Sequence, residues 1–156
     1  MPLEQAFLDD SPYAPEGLLL DEIVEVDKEK SIVVAAMTVH EDMPITRTQR
    51  VHPVRHPRHL SGGLMVHLTG ILGLAHAYYV LGLRHKEGWI GYGARIHNAR
   101  FHALARPGAK LLLKVAATHV RPGNTKVLGR YSFEFKEGDT LVYEGDQTAL
   151  WTRVEG

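Results

Sequence analysis

Alternation of apolar and polar side chains is clearest near the C-terminus. Over residues 126–136, Val127, Gly129, Tyr131, Phe133 and Phe135 fall on one face. Lys126, Arg130, Ser132, Glu134 and Lys136 fall on the other, with Leu128 among them. A period of two with one apolar face predicts a half-buried antiparallel strand. The segments 89–102, 109–121 and 140–154 read as strands too, separated by the turns Pro122-Gly123-Asn124 and Glu137-Gly138-Asp139. Nearer the N-terminus, residues 17–26 (GLLLDEIVEV) and 31–39 (SIVVAAMTV) read as a hairpin across the polar turn 27–30. Residues 40–60 carry no regular pattern, and Pro44, Pro53 and Pro57 interrupt any helix there.

Between these strands lies an uncharged stretch, residues 61–83. Its length would suit a bilayer. Its five glycines, His67, His76 and two tyrosines instead favour a buried helix. Ser61 is placed to cap it, and Arg84, His85 and Lys86 supply the cations a helix C-terminus favours. Gly70 and Gly73 each weaken a helix by about 1 kcal/mol relative to Ala. The expectation is that they let its backbone approach a sheet closely. Strand, strand, loop, long helix, then four strands is an α+β order, with an antiparallel sheet wrapped around one central helix. Residues 1–16 read as a loose lead-in with one short helical turn around residues 3–8, and residues 17–156 as one domain.

Composition narrows the function classes. The chain has 156 residues, with 18 Lys+Arg against 18 Asp+Glu. A neutral balance argues against nucleic-acid or anionic-membrane binding. The absence of cysteine excludes disulfides, thiolate metal sites and a cysteine nucleophile. The N-terminus has neither a basic start nor an apolar run, so no signal peptide is read there and a cytoplasmic protein is expected. Histidine is abundant, at 10 residues. It titrates near neutrality and serves as acid, base or ligand.

Several segments resemble the β-hydroxyacyl-ACP dehydratase family and, with it, the hotdog fold. Residues 18–26 are similar to that family's opening strand. Residues 31–39 with His40-Glu41-Asp42 resemble its second strand and acidic exit. Ser61-Gly62-Gly63-Leu64-Met65-Val66 resembles the start of its central helix. Ala99-Arg100-Phe101, followed by Arg106-Pro107-Gly108, resembles its third strand and turn. The likeness runs from about Gly17 to Trp151. It implies a loop histidine as base, a helix carboxylate as acid and a glycine N–H at the helix start to polarise a thioester carbonyl. His52-Pro53 is the nearest match to the loop motif, without its intervening Phe, and His56-Pro57 is the second candidate. Gly62 and Gly63 match the helix start. The acid position holds His67, and no Asp or Glu occurs over residues 44–86. Hotdog thioesterases are also similar at Gly62-Gly63, but their helix carboxylate would fall near Thr69-Gly70.

Three readings remain open. A dehydratase-like enzyme for 3-hydroxyacyl thioesters of carrier protein or CoA would use His52 or His56 as base, with His67 in place of the acid. A thioesterase would use His67 or a loop histidine to activate water, with Thr69 or the helix-start amides orienting the carbonyl. A non-catalytic acyl-thioester binder needs neither. His59 shares the loop with Arg47, Arg50, Arg55 and Arg58, whose charge would suit the phosphates of CoA or a phosphopantetheine arm. Phe101 and His102 are placed by the resemblance near the substrate tunnel. Prolines and the lack of nearby carboxylates argue against a metal at His52, His56 and His59. No cofactor is expected. His76, about half a helical rotation from His67, reads as a structural residue or one at an interface. One sheet edge, near residues 94–101, should pair with a second copy, giving at least a homodimer.

Overall fold

The computed structural model describes residues 2–52 and 54–155, so Pro53 lies outside the described residues. Two short helices lead in, α1 (Gln5–Asp10) and α2 (Pro15–Leu18). Then come β1 (Glu22–Asp27), β2 (Ile32–Thr38), the long helix α3 (Gly62–His76), β3 (Trp89–Phe101), β4 (Lys110–Arg121), β5 (Lys126–Glu137) and β6 (Thr140–Arg153). The strands form one antiparallel sheet in the order β1-β2-β4-β5-β6-β3. The α+β architecture read from the sequence is therefore present, with α3 packed against β2, β4 and β3 on one face of the sheet.

Alternation fixes which face packs on the helix. Val33, Ala35 and Met37 of β2, Leu111, Leu113 and Val115 of β4, and Tyr131, Phe133 and Phe135 of β5 are buried. Leu64, Met65, Leu68, Leu72 and Ala75 of α3 are buried as well. Fully burying a Leu side chain stabilises by about 1.5–3 kcal/mol, so this face anchors the helix. Ser61 caps α3 as expected: its Oγ accepts from Leu64 N at 3.2 Å. Gly129 and Gly145 are bare beneath aromatic rings. A Cβ at Gly129 would lie 2.5 Å from the Tyr131 ring, and one at Gly145 2.6 Å from the Tyr143 hydroxyl.

Two expectations are corrected. The opening strand was expected over residues 17–26 but begins at Glu22. Pro15 sits at the start of a helical turn, and Leu19 ends that turn in the left-handed region at φ 60°. A run of three leucines thus hides a turn and a reversal. Gly70 and Gly73 do not admit the sheet: a Cβ at either would meet no atom within 4 Å.

Gly62–Leu81 is long and apolar enough to cross a bilayer, with mean hydropathy 1.5, yet 56% of that window is buried inside the fold. It is the core helix. The N-terminal stretch is packed rather than bare. Phe7 is buried against the Tyr78 and Tyr79 rings. Buried Asp10 accepts from the backbone N–H groups of His85 and Lys86 at 2.9 and 3.0 Å.

Candidate functional site

A cavity of about 570 Å³ lies between α3, the N-terminal stretch and strands β3, β5 and β6. From α3 it takes His67, Thr69, Gly70 and Gly73, and from the N-terminal stretch Phe7, Asp10 and Tyr13. Of the site residues expected from sequence, only His67 and Thr69 are in its wall. His52, His56, His59, Gly62, Gly63, Phe101 and His102 are not.

His67 is half-buried, and its ring is fixed from the N-terminal side. Its Nε2 lies 2.7 Å from the Gly17 carbonyl oxygen. A carbonyl only accepts, so Nε2 carries a proton, and the ring nitrogen able to hold a lone pair is Nδ1. The Tyr13 ring meets the imidazole edge to face, with centroids 5.3 Å apart and planes at 89°. Gly17 is close beneath the same Tyr13 ring, 3.3 Å from a would-be Cβ. One four-residue step of the chain therefore supplies both neighbours of this histidine.

Beside it, Thr69 Oγ1 donates to the Val66 carbonyl at 2.6 Å and accepts from Gln147 Nε2 at 2.8 Å. This chain sets the orientation of the Gln147 amide from β6. The same amide also faces the Tyr143 hydroxyl, where a hydrogen bond from Gln147 works against the rise that burial causes in that phenol's pKa, which leaves the carbonyl oxygen for another partner. Gly17, Tyr13, Asp10 and Gln147 were not found from sequence. None lies in a recognisable pattern around residue 67, and Gln147 meets Thr69 only through the fold.

The loop histidines gather among themselves. His52 Nδ1 accepts from the backbone N–H groups of Val54 and Arg55 at 3.3 and 3.0 Å. Residues 52 and 56 pair as an antiparallel bridge. His59 Nδ1 donates to the Pro57 carbonyl at 2.7 Å, and its ring lies 4.8 Å from that of His56. These rings shape the loop's own turns. Gly62 and Phe101 do come together at the helix start, where a Cβ on Gly62 would lie 2.9 Å from the Phe101 ring. His102, beyond the end of β3, pairs with Glu144 at 3.2 Å.

His76 is the opposite case on the same helix. It is fully buried, with Nε2 2.9 Å from Ser31 Oγ and Nδ1 3.3 Å from the Tyr131 hydroxyl. Burial pulls its pKa from 6.5 down to about 4, against a smaller opposing effect of a hydrogen bond to the Ser31 backbone. It is a neutral packing residue, the structural role of the two expected for it.

Neither a family model nor a curated protein matches the sequence. Solved structures do match the fold. A thioesterase from Haemophilus influenzae aligns with a TM-score of 0.63 at 20% identity, over 100% of this chain and 94% of that one. A dehydratase heterocomplex from Xenorhabdus doucetiae gives 0.65 at 14%, over 98% and 93%. A mutant thioesterase from Pseudomonas aeruginosa gives 0.64 at 16%, over 99% and 96%. The architecture is the hotdog fold, shared here with proteins of two different chemistries.

Proposed function

We propose that this protein hydrolyses acyl thioesters, with His67 as the general base. The observation that carries the proposal is the Gly17 contact, which leaves Nδ1 as the proton-accepting nitrogen of a ring in the cavity wall. Nδ1 removes a proton from water as the oxygen attacks the thioester carbonyl. The Gly17 carbonyl steadies the resulting imidazolium through Nε2–H. Collapse of the tetrahedral intermediate breaks the C–S bond, and the thiolate takes the proton from Nδ1. Water and thioester become carboxylic acid and thiol. The fixed Gln147 amide is assigned to orient the carbonyl or the water, and Thr69 to hold that amide.

Hydrolysis suits the absence of a carboxylate on α3 better than dehydration does. A thiolate leaves without a strong acid, since its conjugate thiol has a pKa of about 8.5. Expelling hydroxide needs a general acid. Dehydration of a 3-hydroxyacyl thioester is the second reading, favoured by one observation, the Tyr13 phenol beside His67. The basic loop with His52, His56 and His59, together with the helix start at Gly62 and Gly63, is assigned to the phosphate-bearing carrier of CoA or carrier protein. Phe101 and His102 flank that start. Residues 17–156 would act as one domain together with the packed lead-in that supplies Phe7, Asp10 and Tyr13, paired with a second copy along β3, an edge strand on which Tyr92, Ile96 and Phe101 are about half exposed.

The test is thiol release across a panel of acyl-CoA esters, run beside hydration of the matching enoyl esters. Thiol release that disappears in His67→Gln supports hydrolysis. Enoyl hydration without thiol release would transfer the proposal to dehydration. Silence in both, with acyl ester bound and recovered intact, would leave only a binding protein.

A further inference from the structure

Aromatic residues are concentrated around this one cavity. Two of the four Phe, four of the six Tyr and both Trp line it. Phe7, Tyr131, Phe133 and Trp151 are buried there. Two of the ring contacts are edge to face, while Phe133 lies tilted against Tyr131 at 32°. Tyr131 and Trp151 lie 5.7 Å apart at 67°, and Phe7 and Tyr78 lie 5.3 Å apart at 70°. Aliphatic side chains, which would suit any acyl group, share the rest of the wall with polar ones, among them Asp10, His67, Thr69 and Gln147. The rings are the distinguishing part.

The helix side of the cavity carries bare backbone. Gly70 and Gly73 of α3 line it, and so does Gly93 of β3. A Cβ at any of the three would meet nothing within 4 Å, and none of them has positive φ. Neither close packing nor backbone conformation accounts for them, although glycine weakens a helix interior. What alanine or a larger residue would take away is space. Gly73 is buried in the wall, while Gly70 and Gly93 are exposed at its open side; bare backbone here, with rings elsewhere in the lining, leaves room for a flat group. The volume of about 570 Å³ is that of a small-molecule site.

We propose that the cavity takes the acyl part of the thioester and that this acyl group is aromatic, an aryl ring on a short linker lying on the Gly70–Gly73 strip. The acyl part of the proposal rests on the thioester reading above; the preference for a ring rests on the cavity alone. Offset or edge-to-face contact with ring walls favours an aromatic group over an equally large saturated one.

Both tryptophans line the cavity, so their fluorescence reports occupancy without any turnover. The full chain is titrated with 3-phenylpropanoate and with nonanoate, which have the same number of carbons. The phenyl acid should bind about five- to tenfold more tightly, the range set by one or two ring contacts. The alkyl chain is the more hydrophobic, so equal or tighter nonanoate binding, or no response to either acid, would overturn the proposal. Gly70→Leu and Gly73→Leu should remove the phenyl preference. Gly70→Ala, the milder variant, should reduce it if the larger ones fail to fold. An unchanged preference in a folded Gly70 variant also overturns it. The two acids are then presented as CoA esters. Retained phenyl preference with no thiol release would defeat hydrolysis while leaving the preference standing.

Discussion

The two flanks of α3 solve opposite problems with one stretch of sequence. Leu64, Met65, Leu68, Leu72, Ala75 and His76 face the sheet and are buried in solid packing. Val66, His67, Gly70, Gly73 and Leu74 border the cavity. Each flank carries one histidine. His76 has a partner on both ring nitrogens, and burial keeps it neutral. His67 has a protein partner on Nε2, and its ring belongs to a cavity wall. Residue type alone does not separate a packing histidine from a chemical one. The number of satisfied nitrogens does.

That contrast is broken most directly by exchanging each histidine for glutamine. Gln at position 67 can still donate to the Gly17 carbonyl but cannot accept a proton. Its rate of thiol release should fall by roughly 10²–10⁴, the usual contribution of a positioned base. His76→Gln should lower stability while leaving the rate within about threefold, because the residue touches no reacting atom. Equal losses of rate in the two variants would erase the distinction.

Packing provides the next largest effect. Leu72 is fully buried, and Leu72→Ala should cost about 2–5 kcal/mol in urea unfolding. Leu74→Ala, on the cavity flank, should cost about half as much, since that side chain already borders open space. Equal costs would mean that the cavity flank is packed in solution.

The sheet was legible because its cause is local. Tyr131, Phe133 and Phe135 alternate with polar neighbours, and all three are buried. Ser61 was legible as a cap for the same reason. The candidate site was legible only at His67 and Thr69, which belong to the helix. Its other parts depend on distance in the chain. Gly17 reaches His67 across 50 residues and Gln147 reaches Thr69 across 78, and no periodicity encodes such pairs. The glycines misled for a related reason. A bare helix position reads the same whether a sheet or a void lies above it.

Acid should act on the packed flank first. His76 has a folded-state pKa of about 4 against 6.5 when free, so the unfolded chain binds more protons between these values. Its contribution is fully present above pH 6.5 and is lost as pH falls towards 4. A shift of this size corresponds to about 3 kcal/mol. Urea midpoints from pH 7 to 4 should therefore fall more steeply in the parent than in His76→Gln, whose side chain does not titrate. Identical slopes would show that His76 is not protected from protonation.

The smallest effect is a gain. Replacing Gly70 with alanine removes backbone freedom from the unfolded chain, and the new methyl group meets nothing within 4 Å. Gly70→Ala should therefore stabilise the protein by up to about 1 kcal/mol, read as a raised midpoint with an unchanged urea slope. The same methyl narrows the cavity, so stability should rise as affinity for the acyl group falls. On the packed flank the converse holds. Ala75→Gly opens no ligand space and should cost about 1 kcal/mol without any compensating change in binding. A glycine whose replacement stabilises the fold and weakens the ligand is there for the ligand. If Gly70→Ala destabilises, the space above it is filled in solution, and the two flanks of α3 differ less than their contacts indicate.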